Sequence, residues 1–248
     1  MSRRRFFAPP EAFNKQSIIL TGDEAKHLRN VLRLKVGDEV YVFDGAGKEF
    51  KCTVVGMRRD EVELGNCEEI EPPYSESPLS FSLAVALLKG EKFDLVVQKA
   101  TELGVTKVIP VTTRFADIHL RDSSDAEKRV SRWRRIALEA AKQCGRARVP
   151  DIATPISFES MILDNEQSLR LFFSERDGDG LESSTRATGP ITSVVALVGS
   201  EGGWSDEEIE KAKAAGWQIV TLGGRILRAE TAAIAVSVLI QHLFGDVK

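Results

Sequence analysis

Along the first seventy residues, apolar and polar positions alternate in short bursts. Ile18-Ile19-Leu20, Glu39-Val40-Tyr41-Val42-Phe43, Glu49-Phe50-Lys51-Cys52-Thr53-Val54-Val55 and Glu61-Val62-Glu63-Leu64 each predict a strand. Asp44-Gly45-Ala46-Gly47 lies between two of them and is a hairpin signal. Thr21 or Asp23 is positioned to cap a short helix over Ala25 to Leu32. Residues 1–72 therefore read as a small, mostly β domain that closes as a barrel. Glu71-Pro72-Pro73-Tyr74-Ser75-Glu76-Ser77-Pro78 breaks the pattern, and its prolines and serines predict a linker at 73–78.

From Leu79 onward the period changes. Leu79 to Leu88 is a near-continuous apolar run, as in a strand buried on both faces, and Val105 to Val111 is another; Leu169 to Phe173, Val194 to Val198 and Gln218 to Leu222 are further strands. Between them lie helical patterns. Phe93 to Leu103 ends at Gly104, and a long helix capped by Ser124 or Asp125 runs to Gly145. Asp206 to Ala215 follows Ser205, with Glu208 at the capping-box position, and Thr231 to Phe244 is last. Strands alternating with helices predict an α/β domain with a parallel sheet over residues 79–248. Glu175 to Pro190, rich in Gly, Ser, Thr and Asp, reads as a surface loop.

Ligands of parallel sheets bind outside the carboxyl ends of the strands. Two strand ends here run into glycine-rich stretches that enter helices. They are Val198-Gly199-Ser200-Glu201-Gly202-Gly203-Trp204-Ser205 and Leu222-Gly223-Gly224-Arg225-Ile226-Leu227-Arg228-Ala229-Glu230-Thr231-Ala232. Glycine lets backbone N–H and C=O groups come close to a ligand. Neither stretch has the dinucleotide pattern Gly-x-Gly-x-x-Gly or a phosphate-loop Lys-Ser/Thr, which disfavours a nucleotide hydrolase. Each taken alone is equally a tight strand-to-helix turn without a ligand. Cys52, Cys67, Cys144 and the histidines His27, His119 and His242 are scattered, giving neither a disulfide framework nor metal-ligand spacing.

The two stretches together resemble the signature of the RsmE family. These are bacterial 16S ribosomal RNA uracil-N3 methyltransferases of the SPOUT superfamily. His27-Leu28-Arg29-Asn30-Val31-Leu32-Arg33 with Gly37-Asp38, Gln98-Lys99-Ala100-Thr101-Glu102-Leu103-Gly104-Val105, and Glu139-Ala140-Ala141-Lys142-Gln143-Cys144-Gly145-Arg146 carry the same resemblance, in order along nearly the whole chain. Ser200 departs from it, because the family usually has proline there. The resemblance implies a PUA-like β-barrel, then a SPOUT α/β domain with a C-terminal trefoil knot, and a homodimer. It also implies S-adenosylmethionine as methyl donor and 16S rRNA or the small ribosomal subunit as partner. The donor would be held by Leu197, Val198, Gly199, Ser200, Glu201, Gly202 and Gly203 in the first loop. Leu222, Gly223, Ile226, Leu227, Arg228 and Thr231 would hold it in the second, and a third strand end would add Phe173 and Ser174.

Methylation at uracil N3 removes a proton and spreads negative charge onto two carbonyl oxygens. Arginine suits that charge because it stays cationic and offers several donors. Arg228 and Arg225 are the candidates, the alternative being an ion pair with Glu230 or Glu201. Glu230 and Glu201 are the candidate proton acceptors, or else hold loop backbone as capping carboxylates. The donor methyl is already electrophilic, so no metal is expected.

Net charge is -3, which taken as an average counts against RNA. The average conceals a dipole. Residues 114–148 carry 10 basic and 5 acidic groups (+5), and residues 149–248 carry 8 and 15 (-7). Within the basic block Lys128, Arg132 and Arg135 recur on one helical face, able to meet successive phosphates, and Arg146 follows; for a helix taken alone a merely solvated face is the better reading, and the resemblance raises RNA above it. Arg3, Arg4 and Arg5 precede Phe6 and Phe7, a cation–aromatic arm suited to single-stranded RNA; the alternative is that the two rings close the barrel core. His27, Arg29 and Arg33 add RNA contacts in this reading, although His27 is equally a capping group. The basic start lacks an apolar stretch of signal-peptide length, and no run approaches a membrane span, so a cytoplasmic protein is expected. A non-catalytic RNA-binding or ribosome-assembly factor is the second reading, and the intact pair of glycine loops argues against it.

Overall fold

The computed structural model describes residues 3–14, 17–118, 120–163, 169–185 and 190–248. His119 and part of the Glu175–Pro190 segment lie outside them. The chain divides into two compact units, Met1–Glu76 with Leu138–Val149, and Ser77–Ala137 with Pro150–Lys248.

In the first unit, β1 (Arg5–Phe7), β2 (Ile18–Thr21), β3 (Glu39–Phe43), β4 (Glu49–Met57) and β5 (Glu61–Ile70) form a barrel-like sheet in the order β1-β3-β4-β5-β2. Alternation dictates which side is inward. Ile18 pairs with Leu64 and Leu20 with Val62, and all four are buried. Register shifts between Lys51 and Thr53 and between Val54 and Gly56 break the β4–β5 ladder, as bulges do where a sheet curls. Phe6 is fully buried in this core, so that half of the arm closes the barrel. Helix α1 (Gly22–Lys26) begins after Thr21, whose side chain makes no capping bond, and a π-helical turn (His27–Val31) continues it.

The second unit carries β6 (Ser80–Ala86), β7 (Lys107–Thr112), β8 (Asp151–Ile152), β9 (Ile156–Ser157), β10 (Leu169–Phe173), β11 (Asp179–Gly180), β12 (Ser193–Val198) and β13 (Gln218–Thr221). Every pairing among them is parallel, in the order β11-β13-β10-β12-β6-β7-β8, with β9 also on β7. Strand β11 and the following helix lie inside the segment expected to be a plain surface loop. There, Asp179 and Gly180 pair with Val220 and Thr221, so backbone pairing overrides a loop-like composition.

The helices are α2 (Lys92–Glu102), α3 (Ser123–Cys144), α4 (Phe158–Ile162), α5 (Leu181–Thr185), α6 (Asp206–Ala214) and α7 (Ala229–Phe244). Asp122, two positions before the first of the expected caps, takes the role at α3: its Oδ1 accepts from the Asp125 N–H at 2.9 Å. Ser205 caps α6 with the full capping box. Phe172, Val195, Leu197, Trp204 and Trp217 belong to the core under this sheet. Full burial of one such side chain stabilises by roughly 1.5–3 kcal/mol. Among the described residues no helix is long and apolar enough to cross a membrane.

Candidate functional site

Strand β10 lies between β12 and β13, with Phe173 in register with both Val198 and Val220. Three strand ends are therefore level at one edge, and the residues just beyond them bound a cavity of about 540 Å³. Phe173, Ser174 and Glu175 come from β10, Val198 to Trp204 from the first glycine loop, and Thr221 to Gly223 with Arg225 to Ala229 from the second. Of the residues read from sequence as donor-binding, Leu197 and Thr231 do not line it: Leu197 is buried in the core and Thr231 is exposed on α7.

The first loop is fastened from below. The Trp204 Nε1–H donates to the Phe173 carbonyl at 2.9 Å, and its ring lies 4.4 Å from that of Phe172. The Ser205 N–H donates to Glu208 Oε2 at 2.9 Å, fixing where α6 begins. Gly202 is required by close approach: a Cβ there would lie 2.7 Å from the Cβ of Phe115 and 2.8 Å from its carbonyl oxygen. In the second loop Gly223 has φ +100°, a conformation that L side chains rarely adopt.

Sequence reasoning missed Lys92, which lines the cavity at the first turn of α2. The carboxyl-end rule that flagged the glycine loops applies equally to β6 and Lys89-Gly90-Glu91-Lys92 beyond it. Its Nζ donates to Glu201 Oε1 at 2.8 Å and stands 4.0 Å from Glu230 Oε2. Burial pushes the Glu201 carboxyl up, but the Lys92 hydrogen bond and charge, with backbone donors, hold it below the usual value of 4.5. The hydrogen bond to Glu201 raises Lys92 above its usual 10.5.

Glu201 thus stabilises the fold fully above 4.5 and loses that contribution as pH falls through its lowered pKa. Lys92 stabilises below 10.5 and loses its contribution as pH rises through its raised one. The difference in thermal midpoint between wild type and Lys92→Met is expected to be flat across neutral pH and to shrink in acid below 4.5. A difference that did not change with pH would sink this account.

Because Glu201 is engaged by Lys92, the ion pair considered for Arg228 is not formed. Among the described residues neither Arg228 nor Arg225 has an ion-pair partner; both are exposed and both line the cavity. Glu230 is 9% exposed, and its Oε2 has no hydrogen-bond partner. Buried Ser200 Oγ and Thr221 Oγ1, on cavity-lining residues, are likewise unpartnered. Orphaned polar atoms around a glycine-lined hollow suit a polar ligand of nucleoside type.

The residues read as RNA-binding separate by burial. Arg4, Arg33, Lys128 and Arg135 are exposed. Arg132 is exposed but pairs with Asp94 at 2.5 Å. Arg29 donates to the carbonyls of Arg58 and Arg59, and His27 sets its ring 5.9 Å from Phe6. Arg3 pairs with Glu49 at 3.2 Å. Arg5 and Arg146 are corrected. Their side chains are only 7% and 8% exposed: Arg5 binds fully buried Glu49, which needs a cationic partner, and Arg146 binds partly buried Glu76.

The model of an RNA methyltransferase domain matches residues 75–241, and that of an RNA methyltransferase PUA domain matches residues 20–65. The chain is 35% identical over 231 residues to the ribosomal RNA small subunit methyltransferase E of Mesomycoplasma hyopneumoniae, covering 93% of this chain and 95% of that protein. The chain belongs to the ribosomal RNA small subunit methyltransferase E family. Its counterpart in Bacillus subtilis is 31% identical, with 92% of each chain covered. The family's enzyme from Neisseria gonorrhoeae, solved bound to S-adenosyl methionine, superposes with a TM-score of 0.87 at 33% identity over the full length of both chains. The α/β class, the parallel sheet and the PUA-like first domain expected from the sequence are those of the family.

Proposed function

We propose that this protein methylates N3 of a uridine in 16S ribosomal RNA, using S-adenosylmethionine. The observation that carries the reading is the convergence of both glycine loops and the end of β10 on one cavity, with unpaired Arg228 on its wall. When bound, S-adenosylmethionine supplies an electrophilic methyl group on sulfur. Backbone groups of Gly199, Gly202 and Gly223, with Ser200 and Thr221, would hold it.

Arg228 and Arg225 would receive the charge that spreads over the uracil carbonyls once N3 gives up its proton. Of the two candidate acids, Glu201 is the poorer proton acceptor, because Lys92 holds it ionised and weakly basic. Glu230 keeps an oxygen free, so it is assigned that role. Uracil N3 lies inside a Watson–Crick pair in duplex RNA, so the target base is unpaired or flipped out. Arg4, Arg33, Lys128, Arg132 and Arg135 supply phosphate contacts.

The protein acts in the cytoplasm and as a homodimer. Exposed Val238, Leu239 and Leu243 on α7 and Leu95 on α2 support an apolar contact with a second copy. The test is mass mapping of N3-methyluridine in 16S RNA from cells lacking the protein. One modified uridine is expected to disappear and to return on complementation; an unchanged map refutes the substrate.

A further inference from the structure

We infer that Phe115 is the stacking platform for the target base. The inference rests on the uridine-methylating function proposed above. Among the described residues of the second unit, Phe115 is the one Phe, Tyr or Trp that is substantially exposed, at 45%. Its counterparts there are buried, save Phe244 at the end of α7, which is partly buried. A single exposed apolar side chain is ordinary on a protein surface; what singles this one out is its place against Gly202 of the first glycine loop.

The backbone that carries the ring is held. The Arg114 N–H donates to Glu208 Oε1 at 3.0 Å, and Glu208, itself buried, is the carboxylate of the capping box that starts α6. The Arg114 side chain binds Glu207 at 3.2 Å, with its guanidinium carbon 5.9 Å from the centre of the Phe115 ring. On the other side, Ala116 is buried and donates back to the Thr113 carbonyl at 3.3 Å. The backbone and Cβ of Phe115 itself rest on Gly202, the cavity-lining glycine that no larger residue can replace without displacing them. An exposed aromatic side chain on a held backbone therefore stands beside the first glycine loop.

A uracil taken out of its stack loses its neighbours' faces. An aromatic side chain replaces one of them without regard to sequence context. Arg228 and Arg225 offer donors to the carbonyl edge of the base, and neither offers it a flat apolar face. Phe115 supplies that missing contact, beside the loop assigned to the donor and outside the cavity lining itself.

The test compares wild type, Phe115→Ala and Phe115→Trp. The readouts are calorimetric affinity for S-adenosylmethionine and methylation of small ribosomal subunits that lack N3-methyluridine. Phe115→Ala is expected to lower kcat/KM for the subunit about tenfold or more with donor affinity unchanged, and Phe115→Trp to restore it. The introduced indole also reports directly: the three native tryptophans are buried, so added subunit should quench the extra fluorescence. An Ala variant with unchanged kcat/KM, or with donor affinity lost in parallel, overturns the inference. So does a Trp variant that fails to rescue. Wild type that methylates subunits when Phe115→Ala does so equally well refutes the stacking role alone. Wild type that leaves uridine N3 unmodified refutes the function and this role with it.

Discussion

Arg228→Ala is expected to reduce kcat by about 10²–10³ while leaving affinity for S-adenosylmethionine nearly intact. Removing one donor aimed at developing negative charge costs about 3–4 kcal/mol, and each 1.36 kcal/mol is tenfold in rate. Three features of the site favour this split. Arg228 stands at the N-cap position of α7 without an ion-pair partner among the described residues, so its guanidinium is not engaged in structure. The Glu201 carboxylate that would have neutralised it is taken by Lys92. Its backbone continues into the helix, the Ala232 N–H bonding the Arg228 carbonyl at 2.8 Å, so shortening the side chain leaves the loop in place. Arg228→Lys should recover only part of the rate, because an ammonium cannot present the guanidinium's fork of donors. Single-turnover methylation and calorimetry separate the two quantities. Parallel loss of donor affinity and turnover would make Arg228 a binding residue.

The parts of this molecule legible in its sequence are those where a local pattern has one physical cause. Val194 to Val198 is an uninterrupted apolar run because both faces of that strand are covered, and Leu169 to Phe173 departs from it only at partly buried Arg170. Ser205 and Glu208 announce a capping box because both groups act within one turn. Gly202 and Gly223 mark loops because close approach and positive φ admit little else. What was not legible depends on partners distant in sequence. Lys92 lies beyond a strand end, so the carboxyl-end rule marks its segment, but nothing local distinguishes it from a solvated charge; its pairing with Glu201, 109 residues away, is what singles it out. Arg146 looks like one more member of a basic block, yet Glu76, 70 residues earlier, buries it. Assignment of Leu138–Val149 to the first unit has the same origin, since such pairing leaves no periodic trace.

Arg5→Ala is expected to destabilise the first unit by about 3 kcal/mol or more, an effect that an RNA-contacting arginine would not show. Glu49, its partner, is fully buried, and Arg5 Nη2 lies 2.9 Å from Glu49 Oε2. Deleting one member of a buried pair costs about 3–5 kcal/mol, mostly through the charge left behind. Arg3 retains a 3.2 Å contact with the other oxygen, which places the effect toward the lower end. Arg5 does more than neutralise Glu49. Its guanidinium donates to the carbonyls of Ala141, Lys142 and Arg146, at and just past the C-terminal end of α3, where a cation also meets the favourable end of the helix dipole. Arg4, one residue away and exposed, is the control, with an expected change within about 0.5 kcal/mol. Urea unfolding followed by circular dichroism should separate the two variants clearly. Adding Glu49→Gln to Arg5→Ala should recover part of the loss, because it removes the stranded charge. If Arg5→Ala unfolds with Arg4→Ala, the buried pair contributes little, and Arg5 returns to the candidates for RNA contact.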